Sequence, residues 1–145
     1  LLETFQAGLS WATILHKREN FRRAYEGFLP ERVAAFDTAK IDALMQDAGI
    51  VRNRRKIEAS ITNSRVFLDI VREYGSFDAY IWGFTEGKSI RESWELRITS
   101  PLSDRITKDL KRRGMKFVGS TSIYSTLQAI GVLSAHAEDC DWRQP

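Results

Sequence analysis

The chain has 145 residues, 43% of them hydrophobic and 28% charged, with a formal net charge of +3. That suffices for one domain with its own core and not for two large ones, and no apolar run approaches the roughly 20 residues that a bilayer-spanning helix needs. A charge excess this small does not by itself select a nucleic-acid partner, and the lone Cys140 excludes a disulfide within the chain, so a reducing compartment, the cytoplasm, is expected.

Leu1 opens inside what reads as an amphipathic segment, which predicts an upstream piece. A short turn carries Leu2, Glu3 and Phe5, and Gly8 separates it from a helix capped by Ser10. From Trp11 this helix places Ile14, Leu15, Phe21 and Tyr25 on one face by three-and-four spacing. Pro30 suits the first turn of a small helix ending near Phe36, because its missing N–H costs nothing there. A further helix from about Thr38 turns Ile41, Leu44 and Met45 inward and stops at Gly49. The next carries Ile57, Ile61, Phe67, Leu68 and Val71 to Gly75, and Ser76 caps a short one through Trp82. Residues 84–99 lack a period and read as a loop, with a weak strand signal around Leu96 to Ile98. Ser100, Pro101 and Asp104 mark a strong helix start, with Leu102, Ile106 and Leu110 inward and a stop at Gly114. The last helix, from about Ser120, uses Ile123, Leu127, Ile130 and Leu133. The fold class expected is all-α, a single domain over 1–145 with about seven helices.

Three groups of residues bear on chemistry. Between two helices, Asp47 to Lys56 forms a Gly-containing hairpin loaded with cations, where backbone amides, the positive helix N-terminus and Arg52, Arg54 or Lys56 can hold a phosphodiester. On residues alone the commoner meaning of such a run is a solvated basic face, although Lys17-Arg18 with Arg22-Arg23, and Lys111 to Arg113 with Lys116, add to the argument for a polyanion. His136 and Cys140, four residues apart, can both reach one tetrahedral zinc, but they are two ligands where a structural site needs four. Glu3 lies among apolar neighbours shortly before Gly8-Leu9-Ser10-Trp11, which suits a pocket with Trp11 as stacking platform and Glu3 as hydrogen-bond acceptor. Taken singly, a core tryptophan and a surface carboxylate are the simpler explanation.

Together, and in this order, these strings resemble the type I 3-methyladenine DNA glycosylases. The matching segments are Gln6-Ala7-Gly8-Leu9-Ser10-Trp11, Lys17-Arg18-Glu19-Asn20-Phe21, Asp47-Ala48-Gly49-Ile50-Val51-Arg52-Asn53-Arg54, Lys111 through Gly119, and His136 with Cys140. The resemblance implies a helix-hairpin-helix glycosylase fold with Gly49 in the phosphate-binding hairpin. It places the pocket glutamate on Glu3, the stacking tryptophan on Trp11, a further pocket residue on Ser125, and the turn entering the vacated duplex position on Gly8 and Leu9, Leu9 being the wedge. It also implies a structural zinc with His136 and Cys140 as half of the ligands; the family's other cysteine and histidine, like its pocket tyrosines, fall before Leu1. The expected activity is monofunctional hydrolysis of the N-glycosidic bond of 3-methyladenine in alkylated double-stranded DNA by a monomeric, nucleoid-associated protein. The alternative is a helical damage-recognition module that binds DNA without excision.

Overall fold

A computed structural model of the chain describes residues 1–92, 97–136 and 140. The described residues are mostly helical, in the order α1 (Leu2–Gln6), α2 (Trp11–His16), α3 (Arg18–Ala24), α4 (Pro30–Ala34), α5 (Thr38–Gln46), α6 (Arg54–Tyr74), α7 (Phe77–Gly83), β1 (Ile90–Arg91), α8 (Pro101–Arg112), α9 (Ser120–Ala129) and β2 (Leu133–Ser134), with a 3-10 turn at Glu26–Phe28. The helical class is as expected, with more and shorter helices. The segment carrying Glu3 closes into a helix of its own, and the long helix expected from Trp11 breaks at Lys17, whose ψ of 0° ends α2 and starts α3. The break turns Leu15 outward, leaving it 55% exposed, while Ile14, Phe21 and Tyr25 are buried.

The starts and stops follow local chemistry. Ser10, Asp37, Asn53, Ser76 and Ser100 each accept a backbone N–H from the first turn of their helix. Ser100 and Ser103 cap each other reciprocally, with Pro101 at the first helical position. Gly75 ends α6 at a φ of 83°, a conformation that costs a residue with a Cβ. Gly49 does not stop α5, which ends at Gln46; it lies inside the connection to α6. At the other end, α9 stops at Ala129, so Ile130 is 48% exposed and Leu133 belongs to a strand instead. That strand pairs in parallel with β1, Ile90 opposite Leu133 and Arg91 opposite Ser134. The strand expected at Leu96 to Ile98 begins outside the described residues.

The 21-residue α6 is the spine. Its first half gives Ile57 and Ile61 to a core with Phe5, Phe21, Tyr25, Val33 and Leu44. Its second half gives Val66 and Ile70 to another with Tyr80, Ile106, Leu110, Tyr124 and Leu127. One apolar stripe along a single helix therefore ties both halves of the molecule together. Within the first core Phe5 meets Phe21 at 4.8 Å and Tyr25 at 5.8 Å between ring centroids, so α1, short as it is, is anchored by a fully buried aromatic side chain.

Candidate base pocket and nucleic-acid interface

Burying Phe5 fixes the position of Glu3 two residues earlier. Helix α1 packs against α2, α6 and α9, so the elements that carry Glu3, Trp11 and Ser125 meet around it. Glu3 is half-buried, and its carboxyl is pushed above the ordinary carboxylate range because burial disfavours the charged form. Trp11, the first residue of α2, keeps 38% of its surface exposed, far more than the core aromatics. Ser125 lies half-buried on α9. A half-buried carboxylate thus sits on a helix that touches those bearing a part-exposed indole and a hydroxyl, residue types able to accept hydrogen bonds from a planar cation and to stack on it.

The turn after α1 is built to protrude. Gly8 takes a φ of 77° with no heavy atom within 4 Å of where a Cβ would stand, and Leu9 is 37% exposed. Gln6 braces the turn from both sides, its carbonyl accepting the Leu9 N–H at 2.7 Å and its side-chain amide donating to the Leu9 carbonyl at 2.9 Å.

Lys56 requires a correction. Expected among the cations that meet phosphate, it is only 6% exposed. Its ammonium donates to the carbonyls of Phe5 at 2.8 Å and Ala7 at 2.5 Å, at the end of α1. Desolvation lowers its pKa. It fastens the start of α6 to the base of the Gly8–Leu9 turn, and a side chain so committed is not offered to solvent.

The hairpin from Asp47 to Asn53 is held by Lys17, expected only as part of a basic group facing a polyanion, and by Asn20, to which the sequence assigned no role. Lys17 donates to the carbonyl of Ala48 at 2.9 Å and Asn20 to that of Gly49 at 3.2 Å. Both lie in the Lys17–Phe21 string at a spacing of three, which is the signal that could have paired them. The Gly49 amide donates to Asp47 Oδ1 at 2.7 Å, and a Cβ on Gly49 would stand 3.1 Å from Asn20 Cβ. Gly49 is therefore required for the close approach of Asn20, while its own N–H is already engaged. Between Asp47 and Lys56 the backbone amides without an acceptor among the described residues are those of Ala48, Val51 and Arg52 in the hairpin and of Arg54 and Arg55 in the first turn of α6, where Asn53 takes the Lys56 N–H. Arg52 is exposed and makes no ion pair among the described residues. Arg54 is bound to Asp42 of α5 and lies 3.9 Å from Glu58, so much of its charge is spent bracing the hairpin.

The basic group at the end of α8 divides in the same way. Arg113 bonds Glu73 at 2.5 Å and Asp109 at 2.7 Å and lies over Tyr80, whereas Lys111 and Lys116 are exposed. At the far end of the chain His136 Nδ1 and Cys140 Sγ are 3.6 Å apart, His136 exposed and Cys140 half-buried. A tetrahedral zinc with bonds of about 2.3 Å to sulfur and about 2.0 Å to nitrogen sets two such ligands roughly 3.5 Å from each other, so the pair fits two corners of a zinc site. No group of three or more potential ligands occurs among the described residues.

Comparison with known proteins gives first the class, a helical DNA glycosylase. The chain is 40% identical over 146 residues to DNA-3-methyladenine glycosylase 1 of Escherichia coli, covering 96% of this chain and 76% of that protein. It is 38% identical over 143 residues to the DNA-3-methyladenine glycosylase of Haemophilus influenzae, with 96% and 77% covered. A solved structure of 3-methyladenine DNA glycosylase I from Staphylococcus aureus, described as showing the structural basis of 3-methyladenine recognition, superposes with a TM-score of 0.90 at 36% identity over 99% of this chain and 79% of that one. A sequence model of the methyladenine glycosylase family matches residues 1–144, and the chain belongs to that family.

Proposed function

We propose that this chain releases 3-methyladenine from alkylated double-stranded DNA, with the damaged nucleotide extruded between Glu3, Trp11 and Ser125. The observation that carries the reading is the half-buried Glu3 carboxyl on a helix packed against those bearing Trp11 and Ser125, in a chain of the methyladenine glycosylase family. Extrusion costs a few kcal/mol and is cheapest for a damaged base. Methylation at N3 leaves the purine cationic and its bond to deoxyribose weak. Stacking on Trp11 then contributes about 0.5–2 kcal/mol of cation–π attraction. Glu3 accepts hydrogen bonds from the purine edge or steadies the sugar cation as the bond breaks. Water supplies the oxygen that forms the new bond to the sugar carbon and gives up a proton to the solvent, and the base departs as the neutral purine with the electrons of the old bond. No lysine stands in a motif suited to a Schiff base, so release without strand cleavage is expected.

Leu9 fills the vacated position in the duplex, and the backbone is gripped by Arg52 and the free amides at the start of α6. His136 and Cys140 supply two ligands to a structural zinc, which would tie the C-terminal segment down and take no part in bond breaking. One test of the reading is to incubate methylated duplex DNA with the protein and identify the released base by mass spectrometry. Free 3-methyladenine with intact strands is expected from the wild type, and a large loss of release with retained duplex binding from Glu3→Gln. A wild-type chain that binds the duplex and frees no base would leave a damage-recognition module instead.

A further inference from the structure

The segment Met115 to Gly119 belongs to a motif that the pocket and hairpin do not use. Within it Phe117 is 42% exposed and sits at a φ of 51°, in the left-handed region that is costly for a bulky side chain and persists only where the surroundings hold it. The hold is visible. Asn63 of α6 clasps the preceding residue as one peptide unit clasps another, its amide donating to the Lys116 carbonyl at 2.9 Å and its oxygen accepting the Lys116 N–H at 2.7 Å. The ring lies 5.9 Å from the Lys56 ammonium, the same ammonium that bonds the Ala7 carbonyl beneath the Gly8–Leu9 turn. The Phe117 ring and the turn that presents Leu9 are therefore tied to one buried cation, each offering an exposed apolar side chain, and Lys116, next to Phe117, is exposed as well. Helix α9, which begins just after this segment, packs on α1.

We propose that Phe117 is a second apolar contact to DNA, stacking on a base that borders the position vacated by the extruded nucleotide, while Lys116 meets the adjoining phosphate. The proposal rests on the excision reading and deepens it: the wedge becomes a pair, Leu9 and Phe117, on a shared foundation. A strained, open aromatic ring gains little for the folded protein and much once a base covers its face, because a base stacked on an aromatic side chain accounts for roughly a tenfold or larger share of affinity.

The test uses Phe117→Gly and Phe117→Tyr in the full chain, with a duplex holding a tetrahydrofuran abasic site as probe. Phe117→Gly relieves the backbone, so its melting temperature is expected to equal or exceed that of the wild type while its affinity for the probe falls roughly tenfold. Binding of free 3-methyladenine should not change, and Phe117→Tyr should restore duplex affinity. Unchanged probe affinity in Phe117→Gly overturns the proposal, as does a joint fall in melting temperature and free-base binding, which would mark a structural residue. Failure of the excision reading is seen separately, as a wild type that releases no base.

Discussion

Lysine 56 and glutamate 3 illustrate how burial decides what a charged side chain does. Lys56 was expected to bind phosphate because it follows Arg52 and Arg54, yet it faces α1 and satisfies two carbonyls there. Lys56→Met keeps much of the apolar stem and removes the donor, and each acceptor left unpaired costs about 1–3 kcal/mol. The variant should lose about 2 kcal/mol in urea unfolding, with its salt dependence of DNA binding intact. Arg52→Ala should instead lower the slope of log affinity against log salt by about 0.9 for one lost phosphate contact, and Arg54→Ala by less, since Asp42 and Glu58 already neutralise it. Glu3 holds its proton to higher pH in the folded chain than in the unfolded one. It therefore contributes stability at low pH that is lost as pH rises through its folded pKa. Glu3→Gln should for that reason melt no lower than the wild type at pH 7, and the acid limb of base release should lie above the ordinary carboxylate range.

Among the elements, the hairpin and the α8 terminus are held by small sets of polar contacts that substitution can isolate. Gly49→Ala drives a methyl group into Asp47 and Asn20. It should cost about 1–3 kcal/mol and weaken duplex binding by loosening the grip of Asn20 on the hairpin. At the end of α8, burial alone would raise the Asp109 carboxyl, but hydrogen bonds from Arg112, Arg113 and Tyr80 outweigh it and bring the group down to about 2. The stability this gives is fully present above the unfolded value of about 4 and is lost as pH falls toward the folded one. Asp109→Asn should accordingly lower the melting temperature at pH 7, and the gap to the wild type should close in acid. A constant gap across that range would assign the loss to packing and not to charge.

For the molecule as a whole, the parts legible in the sequence were those written in short-range chemistry. Ser100-Pro101 and Gly75-Ser76 announce helix ends because a cap or a positive φ is a local demand. The apolar stripe of α6 announces its burial in the same way. Several features depended on partners distant in the chain and had no local signal. The pairing of Ile90 with Leu133 joins strands of two residues each, too short for any period to show. The break at Lys17 and the bond from Lys17 to Ala48 are tertiary choices. Lys56 in its carbonyl cradle and Arg52 in solvent are indistinguishable as letters. Glu3 and Trp11 stood out from their neighbours as pocket candidates, but their roles, and Ser125 altogether, came only from the resemblance to a known family; α1 touches both α2 and α9, the helices that carry Trp11 and Ser125.

That a methylated purine enters between Glu3 and Trp11 is most directly tested by nuclear Overhauser contacts from free 3-methyladenine bound to the protein. Cross-peaks from the purine to the Trp11 indole and the Glu3 methylene protons are predicted, and both should vanish in Trp11→Ala. A base that binds with contacts to neither residue would contradict the account.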